Sequence, residues 1–236
     1  DGEKKFSIAR SQMLPNIVYL DSNLCLSNSP YQNACSGFDA LAQAIESYWS
    51  KNSNFISRFF AMQSIRLILK NFDKAVNDNS ENKESLLRML RASNYAGKAI
   101  NITKTTGPHA ISYGITKRIG LPHGHAVALT LGAFFILHNR IFYQHKVSLK
   151  RFKEIDRFIC AKTNKQSSTF LYGLMHKFNM EYDVNKLSLD EHMIDKLIQG
   201  INLERMSNHP IEINNDQLRE IFSLIPCNIL ENEKIS

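Results

Sequence analysis

Gly107-Pro108-His109-Ala110-Ile111-Ser112-Tyr113 and, shortly after, Leu121-Pro122-His123-Gly124-His125-Ala126-Val127 hold three of the eight histidines of the chain. Both segments are apolar, punctuated by Gly and Pro, and set between two long stretches with helical periodicity. Chemistry is expected here. The remainder reads as scaffold, with one earlier helix facing the pair.

Working outward, almost everything after Pro30 has helical periodicity. Phe38, Leu41, Ala42, Ile45 and Trp49 recur at three- and four-residue steps, predicting a helix over about 33–50. A second is expected over 54–76, on the apolar face of Phe55, Phe59, Met62, Ile65, Ile68, Leu69 and Phe72. A third, over 81–102 with Ser80 as its cap, carries Ala92, Ser93, Ala96, Gly97 and Ala99. Such small residues permit close helix approach, so it is expected to be central. From His123 to Asn139 the chain is apolar nearly all round, which predicts a buried core helix. Helices are further expected over 147–160 and 169–178, after a capping box at Ser188-Leu189-Asp190-Glu191, and after Asn214. Before Pro30, Lys5–Arg10 and Asn16–Asp21 read as two short strands. Two strands are marginal alone, so they suggest the end of a larger sheet. The expected division is therefore 1–30, left from an N-terminal α/β domain, and 31–236, an all-helical catalytic domain.

Length and composition set the bounds. For 236 residues, one or two domains are both admissible, and a 43% hydrophobic, 22% charged composition is ordinary for a globular protein. The net charge of +7 permits an anionic partner without requiring one. Lys146, Lys150, Lys153 and Arg157 recur on one helical face, but no stacking aromatics or nucleic-acid motif accompany them, so a solvated face is the preferred reading. Cys25, Cys35, Cys160 and Cys227 form no CxxC pair and read as reduced cytoplasmic thiols. No apolar run approaches the roughly 20 residues of a membrane span. The first residue is Asp1 rather than Met, which reads as a boundary inside a longer product.

Asp39 and Gln43 stand four apart and share one helix face, both polar among apolar neighbours. Burying them is costly unless something binds them. His109 and His123 lie on consecutive segments that antiparallel packing would bring together. One carboxylate, one amide oxygen and two imidazoles suit a divalent metal of borderline softness, Fe²⁺ or Zn²⁺. By spacing alone the plainer reading is preferred: an ordinary helix carboxylate, and histidines serving as core or capping groups.

Ser36-Gly37-Phe38-Asp39-Ala40-Leu41-Ala42-Gln43-Ala44-Ile45-Glu46-Ser47-Tyr48, however, resembles the opening helix of the metal domain of iron-containing (group III) alcohol dehydrogenases, roughly Gly-x-Asp-Ala-Leu-x-His-Ala-x-Glu. Arg91-Ala92-Ser93, Ala96-Gly97, His109 and Pro122-His123-Gly124 match further landmarks in order, over nearly the whole chain. The resemblance implies the helical-bundle domain of the dehydroquinate synthase-like fold. It also implies metal ligation by Asp39, the Gln43 position, His109 and His123. Gln43 replaces a histidine ligand, and Tyr113 stands where many members have another histidine. The family's Gly-Gly-Gly-Ser phosphate turn has no counterpart, since this chain contains neither a Gly-Gly pair nor GxGxxG.

The implied reaction is NAD- or NADP-dependent hydride transfer between a small alcohol and its aldehyde, with the metal as Lewis acid and Tyr113 or His125 relaying the proton. Lys98, Lys104 and Thr105 run into His109 and favour an anionic substrate. This wording is similar to the phosphonoacetaldehyde-reductase branch. The family also implies self-association. A non-catalytic helical remnant or interaction module of the same fold is the alternative.

Overall fold

The computed structural model describes residues 11–77 and 83–226. Short 3₁₀ turns at Ser11–Met13 and Ser22–Cys25 precede ten α-helices: α1 (Pro30–Trp49), α2 (Phe55–Asn77), α3 (Lys83–Thr103), α4 (Gly107–Ile119), α5 (His123–Ile141), α6 (Lys150–Thr163), α7 (Ser167–Lys177), α8 (Glu191–Gln199), α9 (Leu203–Met206) and α10 (Asn215–Ser223). The mainly helical expectation holds, with one correction. Asn16–Asp21 forms no strand, and no strand occurs among the described residues. An extended segment becomes a strand only when a neighbour pairs its backbone, and here none does. The other expected strand, Lys5–Arg10, and the expected cap Ser80 lie outside the described residues.

α1 begins where local chemistry favours it. The Ser29 hydroxyl accepts from the Gln32 N–H at 3.1 Å, and Pro30 occupies the first turn, where its missing N–H costs nothing. α1 packs on α2, α3 and α5 through Phe38, Leu41, Ile45 and Trp49, all fully buried. α5 is the apolar core helix and also meets α4, α7 and α10. The small residues of α3 behave as expected: Ala92, Ala96 and Ala99 are wholly buried.

The turn that sets the two histidine segments is short. α4 ends at Gly120, whose left-handed φ of 80° lets its N–H reach the Thr116 carbonyl at 3.1 Å. Leu121 and Pro122 then lead straight into α5. The α8 cap differs from expectation by two residues. Asp190, not Ser188, receives the Met193 N–H at 2.7 Å, while Ser188 sits outside the helix at φ 53°. The capping box at Asn214 and Gln217 forms. On α6 Lys150 and Arg157 face solvent, while the half-buried Lys153 pairs with Asp156 at 3.2 Å.

One buried polar pair braces the core below the site. His138 Nε2 lies 2.8 Å from His209 Nε2, and His209 Nδ1 accepts the Gly107 N–H at 3.3 Å. That acceptor role puts the His209 proton on Nε2, donating to His138. The His138 proton then sits on Nδ1, a buried atom without a hydrogen-bond partner. Burial lowers both rings, His138 to about 3 and His209 well below its usual value. The unfolded chain takes up these protons near pH 6.5 while the folded chain does not. Stability is therefore full above pH 6.5 and falls as pH drops from there toward about 3. The slope is about 1.4 kcal/mol per pH unit per histidine at its steepest. Thermal melts should drop between pH 7 and pH 5, and less so in His138→Gln. A flat profile would show that the pair is not kept neutral.

Candidate functional site

Helices α1, α3, α4, α5 and α9 and the loop at Lys104 and Thr105 converge on a cleft of ≈ 620 Å³ whose lining includes Asp39, Gln43, Lys104, Thr105, His109, Tyr113, His123 and Arg205. A helix advances about 100° per residue, so Asp39, Gln43 and Glu46 fall on one face of α1. Asp39 and Gln43 reach the cleft; Glu46, one turn deeper, is wholly buried.

His109 is the pivot. Its Nε2 is 3.1 Å from Asp39 Oδ1 and its Nδ1 is 2.5 Å from Glu46 Oε1. The other Glu46 oxygen accepts from the Thr106 backbone N–H at 2.6 Å and from the Thr106 hydroxyl at 2.9 Å. Every face of the buried carboxylate is thereby used, as a buried charge requires. Trp49 adds a further tie, its indole N–H donating to Thr106 Oγ1 at 2.9 Å. Burial pushes the His109 ring down, but Glu46 and Asp39 outweigh it and raise the ring to about 9.

His123, at the start of α5, places Nε2 3.8 Å from Asp39 Oδ1, and its ring lies edge-on to His109 at 5.2 Å between centroids. One donor atom from each of Asp39, His109 and His123 falls within a 4.8 Å group. This set fits a divalent cation. It supplies one anionic oxygen and two imidazoles at the mouth of a cleft. With Glu46 accepting the Nδ1 proton, His109 would offer an Nε2 lone pair to a cation that displaced the ring's second proton, the usual carboxylate–histidine support of a metal ligand. Gln43 stands beside them, its amide Nε2 donating to Asp39 Oδ2 at 2.9 Å. Tyr113 lies over His123, rings 5.5 Å apart and nearly parallel.

The close approach of α5 to α1 depends on Gly124. A Cβ there would overlap the backbone carbonyl of Cys35 and press on Asp39 Cβ.

Residues 33–225 match the model of the Fe-containing alcohol dehydrogenase family, C-terminal. The chain belongs to this family. It is 33% identical over 129 residues to a phosphonoacetaldehyde reductase of Streptomyces viridochromogenes, covering 55% of this chain and 32% of that protein. It is 25% identical over 235 residues to an NADPH-dependent butanol dehydrogenase of Clostridium saccharobutylicum, covering 94% and 58%. A solved sulfoacetaldehyde reductase from Bifidobacterium kashiwanohense, in complex with NAD⁺, superposes with a TM-score of 0.75 at 30% identity, over 87% of this chain and 53% of that one. The chain thus spans between about a third and three-fifths of these proteins' lengths.

Two expected site residues of this family member lie elsewhere. His125 follows His123 by two positions, a turn of about 200°, and so faces away from the cleft. Its ring is buried with both nitrogens engaged, Nδ1 with the Tyr31 hydroxyl and Nε2 with the Glu181 carbonyl, each at 2.7 Å. It ties three segments together and has no nitrogen free to relay a proton. Lys98 is exposed on α3, its ammonium over the rings of Phe60 and Tyr95 at 5.7 and 5.8 Å, and it does not line the cleft. Lys104 and Thr105 do. Sequence reasoning missed Glu46 and Arg205. The step of three from Gln43 to Glu46 on an otherwise apolar face was the available signal for Glu46. Nothing local marks Arg205, which reaches the cleft through the chain's return after α8.

Proposed function

We propose that this chain is the metal-holding, substrate-facing half of an NAD(P)-dependent alcohol–aldehyde oxidoreductase. The observation that carries the reading is the convergence of Asp39, His109 and His123 on one cleft, with Glu46 behind His109. A divalent cation there, Fe²⁺ or Zn²⁺, would supply Lewis-acid polarisation of a carbonyl oxygen, and NAD(P)H the hydride.

The chain's own residues do the positioning. Glu46 fixes the His109 tautomer and ring angle. Gln43 orients Asp39 through its amide N–H and stands at the fourth corner of the donor group. Tyr113, stacked on His123 at the cleft wall, is the residue placed to hold or donate the proton at the developing alkoxide. Lys104 and Thr105, on the same lining, suit an aldehyde with an anionic tail such as phosphonoacetaldehyde, the substrate named for one relative.

The domain reading is part of the same proposal: 31–236 as the catalytic unit and the preceding segment as the edge of an α/β nucleotide-binding domain. The strong exposure of Ile17, Tyr19 and Leu24, at 67%, 87% and 78%, supports a segment covered by a neighbouring layer. Cys25, Cys35 and Cys160 are free thiols, and no helix among the described residues is long and apolar enough to cross a membrane. The free thiols suit a cytoplasmic enzyme, and self-association is carried into the proposal from the family alone.

Elemental analysis after Zn²⁺ loading and desalting tests the site. His109→Ala should lose the metal that the parent chain retains, and equal retention would remove the assignment. Gln43→His should bind Zn²⁺ more tightly, because an imidazole replaces a weak amide donor. Unchanged affinity would place Gln43 outside the coordination sphere.

A further inference from the structure

We propose that Lys104 and Arg205 form an anion clamp in the cleft, and that Arg205 determines specificity for alcohols and aldehydes carrying a tetrahedral oxyanion tail, phosphonate or sulfonate. The proposal takes the reacting end of the ligand from the oxidoreductase reading above. The clamp itself is read from charge and geometry.

The cleft lining holds one lysine and one arginine, Lys104 and Arg205, and its one carboxylate is Asp39 in the donor group. A neutral alcohol leaves both cations without a role. Among the described residues neither has an acidic partner, whereas Arg88, Arg140, Lys177 and Arg219 are each paired with a carboxylate. Two unpaired cations facing one half-enclosed cleft raise its potential and favour an anion between them. A guanidinium beside an ammonium matches a tetrahedral oxyanion, since the planar fork takes two oxygens and the point charge a third.

The backbone at Lys104 points the same way. α3 closes there in the left-handed conformation, φ 62°, with the Lys104 N–H on the Ile100 carbonyl at 2.8 Å. The Thr103 hydroxyl donates to the Lys104 carbonyl, also at 2.8 Å. Glycine suits that closing position without strain, so what lysine adds is the ammonium on the cleft wall.

Arg205 arrives from a distant part of the chain but is held firmly. Its backbone N–H donates to the Asn202 side chain at 3.0 Å. The Asn202 N–H reaches the Ala110 carbonyl on α4 at 3.3 Å. The Asn208 amide donates to the Thr105 carbonyl at 3.2 Å. The loop carrying Lys104 and the helix carrying Arg205 are therefore hydrogen-bonded into one wall, and the cations are positioned before a ligand enters.

The test is calorimetric titration of this chain, with and without Zn²⁺, using 2-hydroxyethylphosphonate and its uncharged dimethyl ester. The parent chain should prefer the phosphonate. Arg205→Met should reduce that preference about tenfold or more, the worth of a charged hydrogen-bonding pair. Lys104→Gly should reduce it as well while raising Tm by about 2–4 °C through relief of the left-handed strain. A preference absent in the parent chain, or unchanged in both variants, overturns the clamp. Failure of the parent chain to bind Zn²⁺ counts against the oxidoreductase reading alone, because the metal-free titration still reads the dependence on Arg205.

Discussion

Gly124→Ala is expected to lower stability by about 1–3 kcal/mol and to remove most of the chain's affinity for Zn²⁺. The added Cβ would overlap the carbonyl of Cys35 and crowd Asp39 Cβ. A backbone carbonyl inside α1 cannot swing aside as a side-chain tip can, so α5 must back away from α1 at its first turn. His123, the residue before Gly124, moves with it, and its 3.8 Å approach to Asp39 opens. Gly97→Ala is the control. Gly97 also lines the cleft, yet a Cβ there meets nothing within 4 Å, and alanine favours the helix by about 0.5–1 kcal/mol. Thermal melts and Zn²⁺ titrations of the two variants should therefore diverge. Parent-like metal affinity in Gly124→Ala would show that the α1–α5 approach does not set the site.

Glu46→Leu is expected to cost about 3–5 kcal/mol, the range for stripping one partner from a buried charged network. The carboxylate is fully buried and serves His109 Nδ1, the Thr106 N–H and the Thr106 hydroxyl together. Leucine leaves the Thr106 backbone N–H and the His109 ring N–H buried without acceptors, at the point where α4 begins. Glu46→Gln is gentler in shape and separates the roles. An amide oxygen still accepts one of these bonds, so the fold survives. The charge that fixes and strengthens His109 as a donor is gone, and metal affinity should fall by about 10–100-fold. Denaturant unfolding and metal titration read the two effects separately. Glu46→Gln with parent-like metal affinity would reduce Glu46 to a packing role.

Much of this architecture was legible in the residue order because helices announce themselves through period and caps. The apolar face of α1, the all-apolar α5, the small residues of α3 and the Asn214 cap are local patterns of a few turns. They appear where the periodicity places them. Asn16–Asp21 failed for the opposite reason: β-branched and aromatic residues favour a strand, but a strand needs a partner that local composition cannot supply. The site divides along the same line. Asp39 with Gln43, and His109 with His123, could be picked out as polar residues in apolar, punctuated surroundings.

Which of several neighbouring candidates enters the cleft was a tertiary matter. His123 and His125 look alike in the chain, yet a rotation of about 200° sends one toward Asp39 and the other toward Tyr31 and Glu181. Lys98 and Lys104 also look alike, but the left-handed closure of α3 brings only Lys104 to the wall. Residue order and local periodicity establish the helices, the turn at Gly120 and the donor types. Periodicity describes one helix about its own axis and carries no information on how that axis is rotated against the next. That rotation comes from packing between distant segments, here the contact of Gly124 with α1 and the tether from Asn208 to Thr105. It is why Glu46 stands behind His109 and Arg205 stands in the cleft.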